Sequence, residues 1–226
     1  MKPPFLLATA LLTAASVHGG IITEPTRTFV VGSDIADLQD PPVNFLQTIS
    51  DSSILSITQV QVGLNLVGRD GGGFASEMYV SLNKDLSLTS ILVNRVGVST
   101  TDSVGQAYDG WNVTLSDLAG SDLHAAIQET GLLTGTYQPD GRTDPASSLR
   151  PELLDVFNGG TGNGDWRLSV GDLDLGGTMR LLSWSLTLTG DTAAVPEPST
   201  YAAGLVVLGL VGATWWRRSR AAISNQ

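Results

Sequence analysis

Apolar and polar residues alternate along several segments in the middle of the chain, and clusters of Gly, Asp and Asn separate these segments. The positions that share one face of each segment are Val60, Val62, Leu64 and Leu66; Met78, Val80 and Leu82; Trp111, Val113 and Leu115; Trp166, Leu168 and Val170; and Leu182, Trp184, Leu186 and Leu188. A period of two bounded by turn-forming residues is typical of half-buried strands in antiparallel sheets. The pattern predicts an all-β fold, an antiparallel β-sandwich or jelly roll, over residues 20–190.

Helical periodicity is weak and confined to residues 115–130. We predict a short helix there with Ser121 or Asp122 as its N-cap. Its inward positions would be Leu123, Ala126 and Ile127. The stretch that follows, residues 134–151, is polar and rich in proline, so we predict a surface loop.

The chain begins with Lys2, an apolar core from Phe5 to Ala15, and then small residues. This core is too short to cross a bilayer but has the length of the apolar region of a secretory signal. We predict a signal peptide over residues 1–19, and therefore an exported protein. A buried core helix is the alternative.

A second apolar stretch, residues 200–216, carries no charge and lies close to the C-terminus. A helix of that length rises about 25 Å, near the lower limit for crossing hydrocarbon. The residues that flank its end are Trp215, Trp216, Arg217, Arg218 and Arg220. Tryptophans at the interface and arginines beyond it mark a cytoplasmic end. We predict a linker over residues 191–199, a transmembrane helix over 200–216 and a basic cytoplasmic tail over 217–226.

The residues before this span form a short proline-containing motif: Val195, Pro196, Glu197, Pro198, Ser199 and Thr200. The two prolines keep the segment extended and accessible. Motif, span and basic tail together resemble the PEP-CTERM sorting signal of Gram-negative bacteria. The resemblance implies an exosortase-type sorting protease as partner, and hosts that typically make extracellular polysaccharide. It implies a route from an inner-membrane anchor to the cell envelope or extracellular matrix. An ordinary tail anchor is the alternative.

The last predicted strands carry a second resemblance, over residues 153–190. The matching positions are Phe157, Gly159, Gly164, Trp166, Leu168, Val170, Asp172, Gly177, Leu181 or Leu182, Trp184 and Leu186. They resemble the end of the P domain (Homo B) of proprotein convertases, a β-sandwich that follows and stabilises a subtilisin-like protease. The likeness extends over residues 29–190, but "RDGGGFASEMYVSLNKDLS" departs from the hairpin that the family has after its first core strand.

The net charge of −10 is concentrated in the middle of the chain, because Lys2 and three arginines lie in the terminal segments with Glu197 as their only acid. Such a surface repels nucleic acid, so we expect no nucleic-acid partner, and it attracts divalent cations. The chain has no cysteine and two histidines, which excludes ordinary zinc sites. Calcium remains open as a cofactor, with Asp165, Asp172 and Asp174 as candidate ligands; turn-forming aspartates are the alternative.

We name no catalytic residues. After removal of a signal peptide one histidine, His124, remains, and no serine lies in a nucleophile-elbow sequence. His124 is interpreted as a surface or capping residue, and the chain is not expected to be an enzyme.

These observations favour an exported, non-catalytic β-sandwich module of the envelope or matrix, with a role in adhesion or matrix association. A lectin-like domain that binds carbohydrate is a second hypothesis, and it requires exposed aromatic side chains; Tyr79, Tyr108 and Tyr137 are the candidates. A third is an accessory module that stabilises a separately encoded subtilisin-like protease.

Overall fold

The computed structural model describes residues 19–69, 72–107, 109–128 and 131–193. The predicted signal segment up to residue 18, the proline-containing motif, the predicted span at 200–216 and the basic tail lie outside the described residues. Within the described ranges, no helix has the length and apolar character that a membrane crossing requires.

The regular secondary structure of the described part is almost entirely β-strand, and one compact unit spans Ile21–Thr192. Its strands are β1 Ile21–Thr23, β2 Arg27–Ile35, β3 Val43–Ile49, β4 Ile54–Arg69, β5 Met78–Lys84, β6 Leu88–Asn94, β7 Gly110–Ser116, β8 Leu133–Tyr137, β9 Gly164–Asp172 and β10 Thr178–Thr192. Three short 3-10 helices join them, at Ala75–Glu77, Leu123–Ala125 and Leu154–Phe157. The prediction of an all-β fold is confirmed.

Two sheets build the unit. In the larger one, β1 and β2 both pair with the same edge of β10, and the order continues through β4 and β7 to β8. The smaller sheet has the order β3, β9, β5, β6. Every pair is antiparallel except β7 with β8, which run parallel. The predicted antiparallel pairing therefore holds for every strand pair except the one at this edge.

Apolar side chains from both sheets form one buried core. The alternation read from the sequence supplies most of it, and the side chains of Trp111, Trp166 and Trp184 are at most 1% exposed. Trp166 also donates a hydrogen bond from Nε1 to the Gly162 carbonyl at 3.1 Å and packs edge-on against Phe157. The buried indole N–H of Trp166 is thus hydrogen-bonded, whereas the Nε1 of Trp184 is buried without a hydrogen-bond partner among the described residues.

Among the predicted strand positions of the core, Leu182 is wrong. Leu182 is only half-buried, whereas Leu181 is fully buried. The pairing of β10 with both of its neighbours shifts between Leu181 and Ser183, which is a β-bulge. A bulge inserts one extra residue, so the alternation before it is out of phase with the alternation after it.

The predicted helix is reduced to the single turn Leu123–Ala125. Asp122 caps it as expected, accepting a hydrogen bond from the His124 backbone at 3.0 Å. Leu123 is buried, but Ile127 is 75% exposed, so its predicted inward position is wrong.

The predicted surface loop at 134–151 is also partly wrong. Its first residues belong to β8, and Asp140 is fully buried against β6.

Candidate functional site

A group of acidic side chains lies at one end of the sandwich. Glu77 directly precedes β5, and Asp172 ends β9 in register with Met78, the first residue of β5. The backbone N–H of Leu173 donates to the Glu77 carbonyl at 2.8 Å. The pairing of two strands therefore brings two carboxyl groups to the same end of the smaller sheet.

Both carboxyl groups are buried and incompletely hydrogen-bonded. Glu77 is 9% exposed and Asp172 is fully buried. Within the described residues, neither Glu77 Oε2 nor Asp172 Oδ2 has a hydrogen-bond partner. Asp172 Oδ1 accepts one weak bond, from the Asp174 backbone at 3.4 Å. Buried acceptors without partners are rare in folded proteins because no hydrogen bond offsets the free energy of their desolvation.

The electrostatics of the two groups follow from this arrangement. Burial, and then the negative charges of Asp172, Asp174 and Asp37, raise the pKa of Glu77 to about 7, against a smaller opposing effect of Arg95. Burial is also the main reason why the pKa of Asp172 is raised to about 6. Each carboxylate thus lacks a sufficient counter-charge.

A pocket of about 350 Å³ opens beside Glu77, and Arg95 and Asp174 line it. Arg95 Nη2 donates to Asp174 Oδ2 at 3.1 Å, and Arg95 Nε donates to the Ser76 carbonyl at 3.2 Å. Gly176 lies against Glu77, and a Cβ at this position would overlap the Glu77 carboxylate. The pocket is therefore rimmed by one salt bridge and reaches a buried carboxylate.

The three aspartates predicted as calcium ligands do not lie together. Asp172 and Asp174 belong to the acidic end just described. Asp165 is at the other end of β9, seven residues away or about 23 Å along an extended strand. There it accepts a hydrogen bond from Thr48 Oγ1 at 2.7 Å. In the described part of the chain, no three acidic or imidazole side chains are arranged so that they could hold a metal ion by themselves.

His124 is not a surface residue. Its side chain is 10% exposed, Nδ1 lies 2.7 Å from Asp140 Oδ2, and Nε2 lies 2.9 Å from the Val98 carbonyl oxygen. Both neighbours are acceptors, so both ring nitrogens must donate, which requires the charged imidazolium. Burial opposes this charge, but the bond to Asp140 and its charge outweigh burial, so the pKa of His124 is raised.

Asp140 connects this histidine to the rest of the loop. Its Oδ1 accepts from Arg142 Nη1 at 3.0 Å, and its Oδ2 also accepts from the Asn94 backbone in β6 at 3.2 Å. Arg142 Nη2 in turn donates to Asp122 Oδ2 at 2.7 Å. With both ring nitrogens of His124 engaged inside this network, the arrangement ties loop to sheet and leaves no free base.

The aromatic side chains bear on the carbohydrate hypothesis. All three tryptophans of the described part are buried in the core. Tyr79 and Tyr137 are half-buried, and Tyr108 lies outside the described residues. The described aromatics do not form an exposed stacking face.

Sequence reasoning missed Glu77 and Asp140. Glu77 is an acid in the otherwise apolar or small stretch "FASEMYV", which is a usable signal for a buried charge. Asp140 stands between Pro139 and Gly141, a context that indicates only a turn.

The residues of the predicted sorting motif and the basic cluster after the span lie outside the described residues, so the geometry bears on none of them. No protein-family model matches the chain, and no curated protein matches it.

Proposed function

We propose that the chain is an exported, non-catalytic module of the cell envelope or extracellular matrix, with a role in adhesion or matrix association. Its β-sandwich would be a P domain-like jelly roll that the predicted signal peptide directs out of the cytoplasm. The predicted PEP-CTERM signal would first anchor it in the inner membrane and then hand it to an exosortase-type protease.

One observation carries this proposal: both ends of the β-unit emerge at the same place. Ile21, the first residue of β1, is in register with Asp191 near the end of β10. The acidic pocket lies beyond the other end of β10, which begins at Thr178, about 45 Å away for a strand of this length. We call this far end the distal pole. A domain held at its chain ends would present the distal pole outward, as a displayed module requires.

The environment of His124 and the lining of the acidic pocket support a binding role rather than catalysis. His124 is held on both ring nitrogens, as described above. The acidic pocket has no nucleophile paired with a base among the described side chains that line it. We assign binding to the acidic pocket at the distal pole.

Fractionation of native host cells tests the proposal. The chain is recovered from each fraction, and its terminal peptides are determined by mass spectrometry. We expect a C-terminus within residues 195–200, and the product outside the inner membrane. Glu197→Gln should leave the tail attached, whereas Asp191→Asn, outside the motif, should be processed normally. A wild-type chain that keeps Arg217 and Arg218 in the inner membrane would contradict the sorting part of the proposal.

A further inference from the structure

We propose that Glu77 and Asp172 form a binding site for a divalent cation of the calcium class at the distal pole. The site goes beyond display and adhesion, and it does not depend on how the chain is sorted.

The first argument is a comparison with the other buried acids of the described part, Glu24 and Asp140. Glu24 is 8% exposed, and its carboxylate accepts hydrogen bonds from Ser52, from Ser53 and from Arg27. Asp140 is fully buried and also has partners on both oxygens. The fold therefore satisfies buried carboxylates where they serve structure alone. Glu77 and Asp172 each keep one buried oxygen without a partner, and they lie at the same pole.

The second argument is the balance of charge. Asp172, Asp174 and Asp37 all act on Glu77 as like charges, and Arg95 is the opposing cation. The Arg95 guanidinium donates hydrogen bonds to Asp174 and to the Ser76 carbonyl. It therefore does not directly neutralise the unpartnered oxygens of Glu77 and Asp172. A divalent cation between the two buried carboxylates would supply the missing charge and ligate both orphaned oxygens.

The donor set selects the class of cation. The two carboxylates offer only oxygen atoms, and the chain has no cysteine. Hard cations prefer oxygen ligands, and calcium accepts irregular sets of six to eight that include carbonyls and water. Magnesium demands near-ideal octahedral geometry. Water from the pocket beside Glu77 can complete a calcium shell around the two carboxylates.

The number of carboxylate ligands also sets the expected affinity for calcium. No third carboxylate in the described residues is placed to enclose the ion. A site with few charged ligands belongs in the weak range of extracellular modules, with a Kd of about 0.1–1 mM. Such a site is filled outside a cell and empty in the cytosol, so its occupancy would report export.

The test is thermal unfolding of the purified full chain after removal of divalent ions with a chelator. Calcium chloride is raised to about 10 mM at constant ionic strength, with magnesium chloride as the comparison. Linkage predicts that about 10 mM calcium raises the Tm by about 3–6 °C for a Kd near 1 mM. Magnesium should raise it less.

Variants locate the site. Glu77→Gln and Asp172→Asn should each abolish the calcium-dependent rise. Each should also melt higher than wild type without calcium, because one of two buried like charges is gone. Asp165→Asn is the matched control, an aspartate on the same strand at the opposite pole, and it should respond as wild type does.

Equilibrium dialysis of the wild-type chain with calcium provides a measurement that does not depend on the variants folding. We expect about one ion per chain at saturation. The proposal is overturned if calcium leaves the wild-type Tm unchanged. It is equally overturned if folded Glu77→Gln and Asp172→Asn keep the rise, or if dialysis finds only diffuse binding of several weak ions. A negative result in these calcium tests would not change the outcome of the cell fractionation that tests sorting. A negative fractionation result would likewise not contradict the calcium site.

Discussion

Asp140→Ala should be strongly destabilising, because this fully buried carboxylate accepts hydrogen bonds on both oxygens. The substitution leaves the imidazolium of His124 and the guanidinium of Arg142 without their shared partner. It also removes the acceptor of the Asn94 backbone N–H, one of the bonds that hold the 138–152 loop against the free edge of β6.

The size of the destabilisation depends on how deeply the two groups left without a partner are buried. The side chains of His124 and Arg142 are 10% and 12% exposed. Removing one partner of a buried ion pair costs about 3–5 kcal/mol. Arg142 keeps Asp122 at 2.7 Å, so we expect a loss of about 3 kcal/mol, at the lower end of that range. For a domain of this size such a loss lowers the Tm by about 6–12 °C.

Urea unfolding monitored by tryptophan fluorescence measures this loss, since the described tryptophans are buried in the native core. The midpoint should fall without a change in slope. Asp140→Asn, which keeps one acceptor oxygen, should lose less. Asp144→Ala is the control, because Asp144 is an exposed aspartate of the same loop.

A result in which Asp140→Ala and Asp144→Ala unfold within about 0.5 kcal/mol of each other would refute the reasoning. It would mean that the charges of the network find equivalent partners elsewhere.

Two further predictions concern pH and backbone geometry. The folded pKa of His124 is raised, so the stability that its charged form contributes is fully present below the ordinary pKa of about 6.5. That contribution is lost as the pH rises through the folded pKa, so the difference in urea midpoint between wild type and His124→Asn should shrink from pH 6 to pH 9. Tryptophan fluorescence measures the midpoints at each pH, and a constant difference would contradict the charged histidine. Gly110→Ala should cost about 2–4 kcal/mol in urea unfolding, because Gly110 has a φ of +124° and a Cβ there would overlap the Leu66 carbonyl. Gly120→Ala has open space and should change stability by less than about 0.5 kcal/mol; an equal loss for both would refute the steric argument.

The central strands could be predicted from the sequence because one of their faces packs on the core and the other is polar. In β4, Val60, Val62, Leu64 and Leu66 are all at most 3% exposed, as the alternation predicts. The edge strands could not be predicted from the alternation, for physical reasons. In β2 the outward Val30 is 87% exposed although apolar, which hides the alternation. In β6 the last five residues are all buried, because the 138–152 loop bonds to its free edge.

The candidate site was only partly predictable. Asp172 and Asp174 could be named from an acid-rich turn, but nothing local in the sequence tells which of several aspartates share one end of a sheet. Their separation from Asp165 depends on the length of β9, and the arrival of Glu77 depends on the register of β5 with β9. Pairing between strands distant in sequence decides both.

The neighbouring ends of β1 and β10 also determine how the fold bears mechanical load. Hydrogen bonds in a sheet run across the strands, so force applied along a strand shears many bonds at once, whereas force that peels an end breaks them singly. Tension between the two chain ends would peel the three-residue β1 from Ile21 onward. A load that pulls the distal pole against the C-terminal end of β10 acts along its 15 residues, which are bonded to β4 on one side and to β1 and β2 on the other. The sandwich is thus weak when Ile21 and Thr192 are drawn apart and strong when the distal pole is pulled away from Thr192.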